Sequence, residues 1–291
     1  MISPKSFVAT AIIAALVAIG PLSTDMYLPA FPALMKAFDT EINQVQYTLS
    51  VFLVGFALAQ LVYGPLSDRF GRKPVLLAGM VLFLISSVAI IFVSSIESLI
   101  VLRFFQAVGG SAGPVLGRAM VRDIYGPKDS AKQLAYIGTA MSLAPAAAPI
   151  MGGYLTVWWG WESTFVFLSI YGILAIVLLS SSFDETAPPG SHHVLTVSNL
   201  LNNYLILLKH PTWPWYTLTC TFIFSGLFSF LSGSSFVIIE FLGYREEQFG
   251  LFFALIVFGF MSGAMSGARL LNKYEIDTLI GWGAALGCVS G

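Results

Sequence analysis

Long apolar runs alternate with short polar turns along almost the whole chain. Runs at about 7–28, 44–66, 74–93, 98–121, 134–157, 163–182, 213–242 and 248–268 are each long enough to cross a bilayer as a helix. Pro21 and the pair Pro29 and Pro32 are expected to bend or end the first helix. Ser232-Gly233-Ser234-Ser235 is expected to interrupt the seventh. A ninth run starts near Asp277 and holds about fifteen residues before Gly291, fewer than the ~20 of a spanning helix. The pattern predicts an all-α polytopic membrane protein: a complete N-terminal six-helix bundle, followed by about two and a half helices of a second bundle.

The polar segments divide the chain. The longest, 184–211, holds Asp184-Glu185, Pro188-Pro189-Gly190, His192-His193 and several Asn. It reads as a cytoplasmic connector between a bundle at 1–183 and an incomplete one at 212–291. Within it, Leu200, Leu201, Tyr204, Leu205, Leu207 and Leu208 are spaced for a short helix lying on a membrane surface.

Composition agrees with the pattern. Hydrophobic residues make up 57% and charged residues 10%, whereas soluble domains carry about a quarter charged. Of fourteen Lys and Arg, ten fall on one face: Lys5, Arg69, Arg72, Lys73, Arg122, Lys128, Lys132, Lys209, Arg269 and Lys273. Lys36 and Arg245 fall on the other, and Arg103 and Arg118 lie inside the fourth helix. The bias places the N-terminus and the connector in the cytoplasm. The first helix lacks a cleavage site with a polar mature region behind it, so it is read as retained.

Several function classes fall away. The basic residues are scattered in short loops, so no face suits a nucleic acid. No nucleophile–base pair, phosphate loop or metal spacing points to an enzyme. Cys220 and Cys288 read as small buried hydrophobes. His192 and His193 read as solvated residues with no further ligand at metal spacing.

Ionisable groups inside membrane helices are costly and call for a reason. Asp25, near the end of the first helix, and Arg103, about five residues into the fourth, lie at similar depth. Two readings stand side by side. In one they pair across a cavity and the carboxyl binds a proton or cation. In the other Asp25 reaches interfacial water and Arg103 snorkels outward. Arg118, at the inner end of the fourth helix, is placed level with Asp68, either to hold the basic hairpin or to snorkel. Glu240, beside Arg245, echoes Asp25 in the second half. Gly109, Gly113 and Gly117 make a flat stripe for close helix approach, as do Ala144, Ala148 and Gly152 next to Pro145 and Pro149.

The hairpin Gly64-Pro65-Leu66-Ser67-Asp68-Arg69-Phe70-Gly71-Arg72-Lys73-Pro74 strongly resembles motif A of the major facilitator superfamily, the loop between its helices 2 and 3. Leu99-x-x-x-Arg103-x-x-Gln106 is similar to motif B. Ala148-Pro149-x-x-Gly152-Gly153 is similar to the antiporter motif C, with Ala148 replacing the usual glycine. Ser23-Thr24-Asp25-Met26-Tyr27-Leu28-Pro29-Ala30 resembles the end of helix 1 in the Bcr/CflA drug-resistance transporters, and Leu231-Ser232-Gly233-Ser234 and Gln248-Phe249-Gly250-Leu251 resemble their second half. The resemblance implies the major facilitator fold and proton-driven efflux of drugs across the bacterial cytoplasmic membrane. It implies no cofactor beyond the proton gradient. The expected partners are protons, the lipid bilayer and an apolar or cationic drug-like substrate. By the same carry-over, Asp25 and Arg103 are coupling residues. Gly64, Leu66, Asp68, Arg69, Gly71, Arg72 and Lys73 form a gate latch, and Ala148, Pro149, Gly152 and Gly153 shape the fifth helix. The latch's superfamily partner, helix 11, would lie past Gly291, so the chain reads as a fragment. Uptake of a metabolite, or a truncated non-transporting membrane protein, are the alternative functions.

Overall fold

Helix follows helix in the computed structural model, which describes residues 6–187, 197–270 and 273–290. The expected histidine pair His192 and His193 lies outside these residues. α1 (Phe7–Asp25) starts at Ser6, whose hydroxyl accepts the Ala9 N–H at 3.2 Å, filling one of the donors a helix start leaves open. Pro21 sits inside it without stopping it. A 3-10 turn at Leu28–Ala30 and α2 (Phe31–Phe38) continue the same span, each with proline in its first turn, where no N–H is needed.

α3 (Ile42–Phe70) and α4 (Arg72–Ile90) follow. The expected hairpin loop contracts to one residue. Gly64, Leu66, Asp68 and Arg69 are helical in α3, Arg72 and Lys73 open α4, and Gly71 alone turns the chain at φ 96°. Only glycine takes that angle without strain. α5 (Ile96–Gly110) runs almost directly into α6 (Ala112–Trp159). The polar stretch between the runs at 98–121 and 134–157, which carries Arg122, Lys128 and Lys132, is absorbed into α6, whose one non-helical residue is Gly126 (φ 72°). α6 passes through Pro145 and Pro149.

α7 (Glu162–Ser182) is followed by α8 (Val197–Leu208), α9 (Trp213–Ser235), α10 (Glu246–Leu270) and α11 (Ile276–Ser290). The interruption expected at Ser232–Ser235 is absent. Ser234 returns its hydroxyl to Leu231 O at 2.9 Å, which keeps serine compatible with the helix. The distortion comes next, as a π-turn at Phe236–Phe241. The short helix expected in the connector is α8, and Tyr204 ties it to α3 by donating to Leu61 O at 2.7 Å. Among the described residues, six helical spans are long and apolar enough to cross a membrane.

α1 is the buried axis, with Ile13, Leu16, Val17 and Ile19 fully enclosed. The glycine stripe is what admits it. A Cβ on Gly113 would strike the carbonyl of Leu16, and one on Gly152 the carbonyl of Met26. Gly109 meets Gly79 and Phe83 of α4 in the same way. Close backbone approach replaces the hydrophobic drive that lipid cannot supply. Cys220 and Cys288 are both exposed rather than buried. They lie on α9 and α11, whose outward residues are apolar where lipid replaces water, so an apolar residue need not be inside.

Candidate functional site

Arg103 is fully enclosed. Its Nη1 and Nη2 both donate to Ser23 O at 3.2 Å, and Nη1 donates to Gln106 Oε1 at 2.6 Å. Gln106 passes the chain on to Ser87 Oγ at 2.8 Å. The guanidinium lies 4.2 Å from the Phe52 ring centre and 4.5 Å from that of Tyr27. Tyr27 is held in turn by Thr48 at 2.8 Å. Ser23 lies in the last turn of α1, where carbonyls lack helical partners and the dipole favours a cation. Arg103 therefore caps α1.

This corrects both expectations for Asp25 and Arg103. They form no ion pair, and Arg103 does not snorkel. The helix end has taken donors from both Nη groups, and Nε is left without a partner among the described residues. Asp25, 6% exposed, accepts instead from Thr24 Oγ1 at 2.8 Å.

Asp25 lines a cavity of about 460 Å³. Its walls are mainly apolar: Phe52 and Phe56 from α3, Met141 and Pro145 from α6, Phe224 and Phe228 from α9. Arg118 is the other charged residue in the lining. Its Nε donates to Pro114 O at 2.7 Å. Among the described residues it makes no bond to the basic hairpin; its side chain is exposed and lies in the lining of the cavity.

The hairpin is tied down by Asp68 and by two acids that sequence reasoning did not single out, Asp123 and Glu185. Arg72 donates through Nη1 to Asp68 at 2.5 Å and to Ser67 Oγ at 2.6 Å, and through Nε to Asp123 at 3.0 Å. Glu185 accepts the backbone N–H of Arg72 at 2.8 Å, Lys73 at 3.2 Å, Thr186 at 2.9 Å and Ala187 at 2.8 Å. Partial burial pushes its carboxyl up, but the N–H groups of Ala187, Arg72, Lys73 and Thr186 outweigh that and hold it below the usual carboxylate range. Lys73 Nζ donates to Phe183 O at 2.5 Å and Ser180 O at 3.0 Å, closing the end of α7. Arg69 lies over Phe70, Leu66 packs on the core, and Gly64 touches nothing within 4 Å of a built Cβ.

At the opposite end, Lys36 meets Glu240 at 3.6 Å, and Gln46 Nε2 donates to Ser232 O at 3.1 Å. Glu240 thus faces Lys36, not the cavity. Ala148, Pro149, Gly152 and Gly153 are all buried in α6, and Gly152 lies against Met26, one residue beyond Asp25. Sequence reasoning missed the aromatic cage, Asp123 and Glu185. The signal for the acids was their place beside helix ends that also carry basic residues.

Comparison with known proteins bears on the family and the fold. The model of the Major Facilitator Superfamily matches residues 13–291. The chain is 32% identical over 271 residues to a bicyclomycin resistance protein homolog of Haemophilus influenzae, covering 93% of this chain and 68% of that protein. It is 32% identical over 270 residues to a chloramphenicol resistance protein of Pseudomonas aeruginosa, covering 92% and 62%. It is 26% identical over 274 residues to multidrug resistance protein D of Escherichia coli, covering 94% and 68%. The chain thus spans about two thirds of the length of these relatives. Among solved structures, it resembles a bacterial homolog of the human lysosomal transporter Spinster in an inward-facing, unoccupied conformation. The TM-score is 0.74 at 15% identity, over 92% of this chain and 63% of that one. At such identity the likeness speaks for the fold alone.

Proposed function

We propose, for a chain that belongs to the Major Facilitator Superfamily, that it acts in proton-coupled efflux of small apolar drug-like molecules by alternating access. It is a multi-pass membrane protein of a transporter family, not an enzyme. The observation that carries the proposal is the cavity holding a carboxyl group, Asp25, among aromatic walls from α3 and α9. Drug-resistance relatives favour export over uptake.

In this mechanism Asp25 takes a proton in one state and releases it in the other, and the change biases the balance between them. The site is suited to that task because Asp25 has a hydroxyl neighbour and, among the described residues, no cation partner. It also stands between two fixed points of α1, the capped carbonyl of Ser23 and the backbone of Met26 packed on Gly152. The basic hairpin is assigned to the cytoplasmic face, with the N-terminus on the same side. The division at 1–183, 184–211 and 212–291 belongs to the same proposal, with the cavity between the two bundles.

The test is transport by the chain in proteoliposomes under an imposed pH gradient. Asp25→Asn is expected to abolish the gradient-driven part while thermal unfolding stays unchanged. Undiminished gradient-driven transport by the variant would overturn the proton role.

A further inference from the structure

We infer that Arg118 makes the cavity selective for compounds that join an aromatic body to an anionic or strongly hydrogen-bond-accepting group. This rests on the cavity being the substrate site. The cavity is otherwise almost wholly apolar, yet it contains a guanidinium whose one protein bond runs from Nε to Pro114 O at 2.7 Å. Among the described residues, Nη1 and Nη2 have no partner. Arg103 shows what this protein does with a guanidinium it uses for structure: it is fully enclosed, both Nη groups donate to a carbonyl or amide oxygen, and rings flank it, whereas Arg118 is exposed. Arg118 is left with a planar pair of donors facing open space, the arrangement that matches a carboxylate, sulfonate, nitro or carbonyl group.

Depth fits as well. A Cβ on Gly117 would meet Val17 Cγ2 at 2.9 Å and Ile13 Cγ2 at 3.2 Å. Arg118 is therefore near the level of Val17, eight residues before Asp25, or about 12 Å along the helix axis. The backbones of the acid and of Arg118 are thus separated along the cavity, although the Arg118 side chain reaches back toward Pro114, and Phe52, Phe56 and Met141 are among the walls. An anion held at Arg118 is thus kept away from Asp25, and an aromatic body fills the stretch between them. A cationic group placed beside Arg118 would meet the guanidinium's repulsion, which disfavours that end of the cavity for the cationic substrates expected from the sequence.

The test compares two probes with the same aromatic skeleton, 1-anilinonaphthalene-8-sulfonate and N-phenyl-1-naphthylamine. Both are titrated by fluorescence against the purified chain in detergent. Gly138→Trp defines cavity binding, because Gly138 lines the cavity and a Cβ there meets nothing within 4 Å. Wild type is expected to prefer the sulfonate. Arg118→Gln should weaken the sulfonate by about tenfold or more and leave the naphthylamine within about twofold. Arg118→Lys should recover part of the sulfonate affinity.

Equal effects on both probes, or none on the sulfonate, would overturn the role of Arg118 while leaving the cavity as the site. Tighter binding of tetraphenylphosphonium than of the sulfonate, strengthened by Arg118→Gln, would overturn it too. Should Gly138→Trp spare both probes, the cavity itself fails as the binding site. If Arg118→Gln does not fold, the wild-type preference measured against Gly138→Trp still decides: no preference for the sulfonate sinks the inference.

Discussion

Adding a single methyl group to Gly113 should loosen the protein more than removing most of its surface charges. Built on the present backbone, that methyl strikes Leu16 O. It also lies 3.0 Å from the Leu16 carbonyl carbon and 3.5 Å from Ile19 Cγ2. Ordinary contacts between carbon atoms fall at about 3.5–4.0 Å, so α1 must withdraw from α6 by roughly 1 Å. Backbone atoms cannot rotate aside as a side chain does. Overpacking of this kind costs about 1–3 kcal/mol. The displaced helix also loses part of its dispersion contact along the seam. Opposing this is the higher helix propensity of alanine, worth about 0.5–1 kcal/mol. The net loss for Gly113→Ala should be about 1–2 kcal/mol, a fall in melting temperature of several degrees. Gly64 and Gly138 supply the internal control, since a Cβ at either meets nothing within 4 Å. Their alanine variants should melt at or slightly above wild type. The assay is thermal unfolding in detergent followed by size-exclusion chromatography with fluorescence detection. If Gly113→Ala melts with Gly64→Ala, the close approach of α1 to α6 is not what the glycine serves.

Two further outcomes are expected. Arg103→Lys should destabilise despite keeping its charge, because one ammonium cannot reproduce the double donation to Ser23 O while reaching Gln106 between two rings; each acceptor left bare costs about 1–3 kcal/mol, and melting equal to wild type would contradict the capping role. Glu185 has its folded-state carboxyl held below the ordinary value, so its contribution is present above the unfolded value and is lost as pH falls through the folded one. Wild type should therefore lose protection of the hairpin end against proteolysis on acidification, whereas Glu185→Gln should start lower and change less. Parallel pH profiles would show that the four N–H bonds do not matter.

The fold was legible because its main constraint is local. Backbone groups in lipid must be satisfied within the helix, so an apolar run of sufficient length decides an element by itself. Turns were less legible. Gly71 and Gly126 each redirect the chain alone, at φ 96° and 72°, where the polar composition had suggested loops of several residues. The site was legible as a set of residues but not as a set of bonds. Asp25 and Arg103 share a depth, as their positions in the sequence indicate. Whether they pair depends on the unfilled carbonyl of Ser23, and a helix end is settled only when the chain folds. The bond of Arg118 to Pro114 O, rather than to the hairpin, was not legible for a similar reason. Depth follows from counting residues along a helix, whereas the direction a side chain faces depends on how that helix is rotated against its neighbours.

That difference bears on how a proton at Asp25 would be felt elsewhere. Had Arg103 been its ion-pair partner, neutralising the acid would have stranded a buried cation, a change large enough to drive a rearrangement alone. Here the Nη groups of the guanidinium are held by the end of α1 and its faces by the ring cage, and Nε alone has no partner among the described residues, so the state of Asp25 leaves these bonds unchanged. The proposed coupling must then run through position rather than charge pairing. Ser23 is pinned to α5, Met26 is pinned to α6 through Gly152, and Asp25 lies between them facing the cavity. A group that gains or loses its need for polar neighbours there strains a short segment fixed at both ends, and the strain reaches α5 and α6 together. The same two helices carry Gly109 and Gly113, where α4 and α1 approach without side chains between them. Seams of that kind can slide but cannot swell, and this is how a one-proton change at Asp25 would become a movement of whole helices.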